Sequence, residues 1–287
     1  MTNPMPKEFD YTMLSTFLTC RRKYYFRICR DLVLNVPQTA PEFGRCIHKA
    51  LDCWYETGDI NKAIGVFNAE FVENPEDTKR TKAVAAKLLQ LYAEKYANKV
   101  FTILETEKKF TLLIPDTIVY LIGRIDKIII WDGAVYVLDH KTTSRLGYEF
   151  FNKIKPNMQF DGYIWAATQM GYPTCSGIVM DAILVAKGLL VPAQLSKLTP
   201  LARDISTRTA KDIERYLDNV RCIIRDIAKC YETDEWYENT ESCCDYNECP
   251  YRGICKEDNE IRERIIESDY KVEKWDPRKE DKNVTTA

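Results

Sequence analysis

The stretch Gly123 to Thr143, GRIDKIIIWDGAVYVLDHKTT, constrains the fold more than any other part of the chain. Two β-rich runs, one through Ile125, Ile128, Ile129 and Ile130 and one from Val135 to Thr142, flank Trp131-Asp132-Gly133, and Asp-Gly between such runs signals a hairpin. Both runs read as strands. Side chains alternate across a strand, so Asp139 and Lys141 share one face while His140 projects to the other. The hairpin can bring Asp126 opposite that pair. Two carboxylates near one point repel each other unless a cation lies between them, which invites a hard divalent metal with oxygen ligands. A lysine beside them could hold hydroxide or stabilise charge on a phosphate under attack. The plain alternative is a pair of solvated strand ends carrying surface ion pairs. What weighs against it is the rest of the chain.

A helix begins at Pro41, with Phe43, Ile47, Ala50, Leu51 and Trp54 as its buried stripe, and ends at Gly58-Asp59. His48 lies at the edge of that stripe, where it could reach across toward a sheet. Of the two histidines in the chain, His140 faces away from Asp139, so His48 is the candidate metal ligand; a purely structural role is its alternative. Helices over Asn61–Glu73 and Arg80–Lys99, parted by a loop at Asn74–Asp77, carry no recognisable chemistry. Phe101 to Ile114 reads as one or two strands, with Glu105 and Glu107 on one face. After Lys141 a loop rich in Thr and Ser leads to a helix from about Pro156 to Met170, on which Gln159 and Tyr163 share a face. Gly177 to Val185 is apolar enough to be a buried strand. Strand, helix, strand implies a right-handed crossover and a parallel pair, placing the Gln159 face near the carboxyl end of the strand that bears Asp139. The fold class is mixed α/β.

Tyr11 to Arg30 reads as one helical segment with a basic cluster, Arg21, Arg22 and Lys23, among aromatic residues; it could track a phosphate backbone or form an amphipathic surface helix. Thr207 to Tyr231 carries a stripe of Ile213, Leu217, Val220, Ile224, Ile227 and Tyr231 that suits a core-packing helix. Past Trp275 the tail is charged and is expected to be disordered.

Eleven cysteines, an odd number, argue against a complete disulfide framework. Cys243, Cys244, Cys249 and Cys255 fall together among polar neighbours, Asp245, Asn247, Glu248 and Arg252, which disfavours a core role. Metal or iron-sulfur ligation remains; zinc more often shows paired C-x-x-C elements, and the chain has none. A fourth thiolate could come from Cys20, stapling the two ends of the chain. Adjacent Cys243 and Cys244 diverge, so one is a spare. Cys29, Cys46, Cys53, Cys175, Cys222 and Cys230 read as small core residues.

The net charge of −2 gives no global signature of a nucleic-acid binder, so any such partner must be held by local basic patches. No apolar run approaches a membrane span and the first ten residues lack a signal-peptide core, so a cytoplasmic protein without a membrane partner is expected. No G-x-x-x-x-G-K-[ST] string occurs, so translocation would require another protein.

In order, His48, Asp126, Asp139-His140-Lys141, Gln159 and Tyr163, framed by Cys20 and the late cysteine run, resemble the RecB-like branch of the PD-(D/E)XK nuclease superfamily over residues 10 to 255. The pattern is similar to its iron-sulfur members, the CRISPR-associated Cas-four nucleases and the nuclease domain of the AddB helicase-nuclease. The resemblance implies a restriction-endonuclease-like mixed central sheet flanked by helices, with the N- and C-terminal segments joined by a cysteine-ligated cluster. It implies that His48, Asp126, Asp139 and the backbone carbonyl of His140 hold magnesium or manganese, and that Lys141 orients or helps deprotonate the attacking water. Gln159 and Tyr163 would position DNA, with Arg21, Arg22 and Lys23 on its backbone. Cys20, Cys249 and Cys255 would ligate a four-iron four-sulfur (4Fe-4S) cluster with Cys243, or with Cys244 as the alternative; zinc is the alternative metal. One departure stands out: Tyr246 occupies the place of the first of the family's last three ligands.

The implied layout is a segment over 1–40 with the first cluster cysteine, a nuclease core over 41–200 with a helical insertion at about 59–99, a helix and cysteine cluster over 201–260, and a charged tail over 261–287. The implied function is a metal-dependent DNA nuclease, a single-strand or end-directed exonuclease of recombination, repair or mobile-element DNA processing, with a helicase or integrase as partner. Its alternatives are a Cas-four-like end processor acting with an integrase and a catalytically silent DNA-binding scaffold.

Overall fold

The computed structural model describes residues 4–98, 100–244 and 248–276. β1 (Glu8–Phe9) leads into α1 (Tyr11–Thr19), where the Asp10 side chain accepts the Met13 N–H and caps the helix. At Cys20 the backbone is extended, so the single helix expected over Tyr11–Arg30 is divided into α1, α2 (Arg21–Tyr24) and a π-turn at Tyr25–Cys29. The break exposes the Thr19 carbonyl, which the side chains of Asn239 and Ser242 take up at 3.0 Å each. After β2 (Leu32–Leu34) comes α3 (Thr39–Thr57), which stops at Gly58 because that residue adopts φ +70°. α4 (Ile60–Glu70) starts on the cap Asp59 and α5 (Lys82–Lys95) on the cap Thr81. The strands β3 (Phe101–Leu113), β4 (Tyr120–Trp131) and β5 (Ala134–Thr143) follow. Then come α6 (Tyr148–Phe151), α7 (Met158–Gln169), β6 (Cys175–Leu184), α8 (Pro192–Leu195) and β7 (Leu201–Thr207). The chain closes with α9 (Ala210–Thr233), α10 (Arg252–Cys255), α11 (Asn259–Asp269) and β8 (Tyr270–Val272). Among the described residues no helix is long and apolar enough to cross a membrane.

The chain divides into two compact units, the first of Met1–Val36, Lys109–Arg124 and Ala210–Ala287 and the second of Pro37–Lys108 and Ile125–Thr209. In the second, β4 and β5 form the expected antiparallel hairpin, from Trp131↔Ala134 to Lys127↔Leu138. Its turn places Asp132 at φ +49° and Gly133 at φ +76°, the left-handed pair that Asp-Gly tolerates. β5 runs parallel to β6, as the crossover through α7 requires, and β6 runs antiparallel to β7. One face of this sheet, through Ile129, Leu138, Val179 and Ile183, packs against α3, α4 and α5 in a core that includes Phe43, Ile47, Phe67 and Leu88. Each such side chain contributes roughly 1.5–3 kcal/mol when fully buried. α7 packs on β5 and β6. In β3 the left-handed backbone of Glu107, φ +50°, interrupts the alternation on which a shared face for Glu105 and Glu107 depends.

In the first unit, β1 pairs in parallel with the start of β4, and α1 packs on α9. α9 buries Tyr216, Val220, Ile223, Ile224, Ile227 and Cys230, so it is a core-packing helix whose stripe is rotated slightly from the expected one. A small satellite core of Phe26, Leu32, Tyr251, Ile254 and Ile266 ties early chain to late chain, and β2 pairs antiparallel with β8. Residues from 261, expected to begin a charged tail, thus form most of α11 and all of β8. The stretch 277–287, expected to be disordered, lies outside the described residues.

Candidate active site

The ladder between β4 and β5 reaches Lys127↔Leu138, and Asp126 and Asp139 are the next residues of each strand. There the His140 backbone N–H donates to Asp126 Oδ2 at 2.9 Å. α3 brings His48 to the same oxygen, with Nδ1 3.3 Å away. On β5 the Lys141 ammonium lies 2.8 Å from Asp139 Oδ2 and 3.1 Å from Oδ1, and 5.7 Å from the centre of the Phe160 ring. Both carboxylates are buried. His48, Asp126, Asp139 and Lys141 are therefore gathered where the two strands end their pairing.

Burial alone would raise the Asp126 carboxyl, but the charge and hydrogen bond of His48, helped by Lys141, hold it far below the ordinary range. Asp139 moves the other way: burial pushes it up, Lys141 pulls back, and the negative charge of Asp126 adds to the rise. His48 is raised because Asp126 outweighs the burial that disfavours its charged form. Chemically the set is two carboxylates and an imidazole, donors that suit a hard divalent cation. Asp139 Oδ2 is buried and accepts no well-oriented hydrogen bond despite the nearby ammonium, which leaves that oxygen suited to a cation. Yet among the described residues no three His, Cys, Asp or Glu side chains are drawn together tightly enough to hold an ion as they stand. Instead His48 lies against Asp126, and the Lys141 ammonium donates to Asp139 Oδ1.

A family model described as the PD-(D/E)XK nuclease superfamily matches residues 9–256. The chain belongs to that superfamily. The restriction-endonuclease-like fold expected of a PD-(D/E)XK chain, a mixed sheet flanked by helices, is the one present. A crystal structure of a candidate exonuclease from Eubacterium rectale is similar at 12% identity and a TM-score of 0.47, covering 90% of this chain and 92% of the other. The crystal structure of SSO0001 is similar at 13% identity and a TM-score of 0.36, covering 88% of each chain. No curated protein matches the sequence.

On α7 of this PD-(D/E)XK chain, Gln159 Nε2 donates to the Tyr163 hydroxyl at 3.0 Å, so the two residues meet as their spacing implies. His140 turns to the opposite face from Asp139, where its Nδ1 lies 3.1 Å from Asp181 Oδ2. In the first unit Arg21 pairs with Asp226 at 3.4 Å and lies 4.4 Å from the Tyr237 ring centre, while Arg22 pairs with Glu238 at 3.6 Å. Part of the basic cluster is thus engaged within its own unit, and Lys23 beside it is half-buried.

All the cysteines are free thiols. Cys20 Sγ accepts the Asn239 N–H at 3.3 Å, and the Cys249 N–H donates to the Cys243 carbonyl at 2.9 Å. Burial raises the Cys243 thiol, and Cys249, Cys20 and Cys244 add to the rise; Cys255 is raised by burial and feels Cys20 and Cys243. These thiols share one neighbourhood. Tyr246, Asp245 and Asn247 lie outside the described residues. Of the cysteines read as core residues, Cys29, Cys46, Cys175 and Cys230 are buried and Cys53 half-buried, but Cys222 is exposed because α9 turns it outward.

Three features escaped the sequence reading. Gly44 lies where a Cβ would come within 3.0 Å of Thr142 Oγ1, so its lack of a side chain lets α3 approach β5 closely enough for His48 to reach Asp126. Asp52, one helical turn beyond His48, pairs with the wholly buried Lys127. Asp181 and Arg203 form a buried ion pair behind His140. A glycine four residues before the helical histidine was the one signal available in the sequence for any of them.

Proposed function

We propose that this chain is a divalent-metal-dependent deoxyribonuclease that hydrolyses phosphodiesters in single strands or at free ends. The observation that carries the reading is the meeting of His48, Asp126, Asp139 and Lys141 at the end of the β4–β5 ladder. His48, Asp126, Asp139 and the His140 carbonyl would hold magnesium or manganese. Such an ion, when bound, supplies Lewis-acid activation and offsets charge developing on phosphate. Lys141 exchanges its contact with Asp139 for one with the attacking water, orienting it and helping to remove its proton. Gln159 and Tyr163 position the strand beside the scissile phosphate, and Arg21, Arg22 and Lys23 contact its backbone.

In the same reading Cys20, Cys243, Cys249 and Cys255 would ligate a 4Fe-4S cluster, with Cys244 as the alternative to Cys243 and zinc as the alternative metal. On this reading the protein is a RecB-like iron-sulfur nuclease that processes DNA ends in recombination, repair or mobile-element transfer beside a helicase or an integrase. The test is digestion of end-labelled single- and double-stranded DNA with manganese or magnesium. Wild-type protein degrades the labelled strand, and Lys141→Ala lowers the rate by about 100-fold or more. Equal rates in the two proteins would remove Lys141 from the chemistry.

A further inference from the structure

One rung of charge crosses the sheet face of the second unit that packs against α3 and α5, beside the buried Lys127. His140 stands directly opposite Asp181 in the parallel β5–β6 pair, and Asp181 stands opposite Arg203 in the antiparallel β6–β7 pair. The side chains of His140 and Asp181 are wholly buried and that of Arg203 nearly so. His140 Nδ1 lies 3.1 Å from Asp181 Oδ2, Arg203 Nε lies 3.1 Å from Oδ1, and Arg203 Nη2 donates to Oδ2 at 3.1 Å. The Tyr92 hydroxyl donates to the same carboxylate, and Arg203 Nη2 also donates to the hydroxyls of Tyr55 at 2.9 Å and Tyr92 at 2.8 Å. The guanidinium carbon lies 3.5 Å from the centre of the Tyr96 ring.

Burying such a set is unfavourable, and well-packed apolar side chains in the same volume are often at least as stable. Holding the sheet together therefore does not account for the rung. What the rung grips does. His140 lies between Asp139 and Lys141, and its own N–H is the one that donates to Asp126 Oδ2. Successive strand residues point to opposite faces, so fixing the His140 side chain on one face fixes how its neighbours are presented on the other.

We propose that Asp181 and Arg203 are positioning residues which, through His140, set the orientation of the Asp139–Lys141 segment against Asp126. Neither touches the reacting atoms. The catalytic consequence rests on the nuclease reading above, whereas the structural consequence does not.

The test compares wild-type protein with Arg203→Met and with the all-apolar triple variant H140L/D181L/R203M, which removes the whole rung without leaving a buried charge unpaired. In both variants the His140-position amide, followed by hydrogen exchange, speeds up by about tenfold or more relative to Leu138 on the same strand. In the triple variant the melting temperature is unchanged or higher. With manganese and an end-labelled single strand, kcat falls by about tenfold or more while KM stays within about twofold, as misplacement of bound reactants predicts. Unchanged exchange at that amide in the folded triple variant, or unchanged kcat in an active one, overturns the proposal. If wild-type protein cuts no DNA and Asp139→Ala behaves identically, the nuclease reading has failed, and hydrogen exchange alone decides the positioning role.

Discussion

Asp10 holds its proton under two opposed influences. Its carboxylate accepts the Met13 N–H at 2.8 Å as a helix cap and the Trp275 indole N–H at 3.1 Å, and both bonds favour the charged form. Burial opposes them and wins, pushing the carboxyl above the ordinary aspartate range, up to about 6. The folded state therefore binds the proton more tightly than the unfolded state. Stability from this group is fully present below the unfolded value and is lost as pH rises through the folded one. Asn at this position keeps the cap and removes the titration. Relative to wild type, Asp10→Asn should gain about 1–3 kcal/mol in urea unfolding between pH 4 and pH 7. A constant difference across that window would show that Asp10 stays ionised.

At the level of elements, α3 has to lie close to β5, and Gly44 is where that closeness is felt. Alanine there would crowd Thr142 Oγ1, which sits 3.0 Å from the added carbon, and move the helix by a few tenths of an ångström. Alanine also favours the helix by about 1 kcal/mol, so the two effects on stability roughly cancel. Gly44→Ala should melt near the wild-type temperature yet digest DNA about tenfold more slowly, because His48 loses its approach to Asp126. Strong periodicity made α3, the hairpin and α9 legible in the sequence. β7 was not anticipated. Its residues, LARDIST, mix charge and apolar character, and only Leu201 is fully buried, so alternation alone carried too little contrast. The break at Cys20 was equally hidden, since the groups that donate to the freed Thr19 carbonyl, Asn239 and Ser242, are remote in sequence.

For the whole molecule, the D-x-K strand and its acidic partner were readable because strand alternation is a local rule. The rung behind them was not, since Asp181 and Arg203 sit in separate strands and only the folded register brings them to His140. The cysteines show the same divide: their grouping late in the chain is plain, whereas the place of Cys20 beside them needs the fold. If they hold the proposed cluster, anaerobically purified protein should be brown, and Cys255→Ala should lose that visible absorbance together with part of its thermal stability. A colourless protein containing zinc would replace iron in this account.

The pairing of β2 with β8 has a consequence for biosynthesis. Residues 32–34 leave the ribosome well before their partners at 270–272, with the whole of the second unit synthesised in between. The unit of residues 37–108 and 125–209, whose strands find one another within a shorter span, can complete its assembly during translation. The other unit must wait for residues 251–272, holding Leu32 and Phe26 uncovered in the interval, and that waiting segment is where a nascent chain would first engage a chaperone.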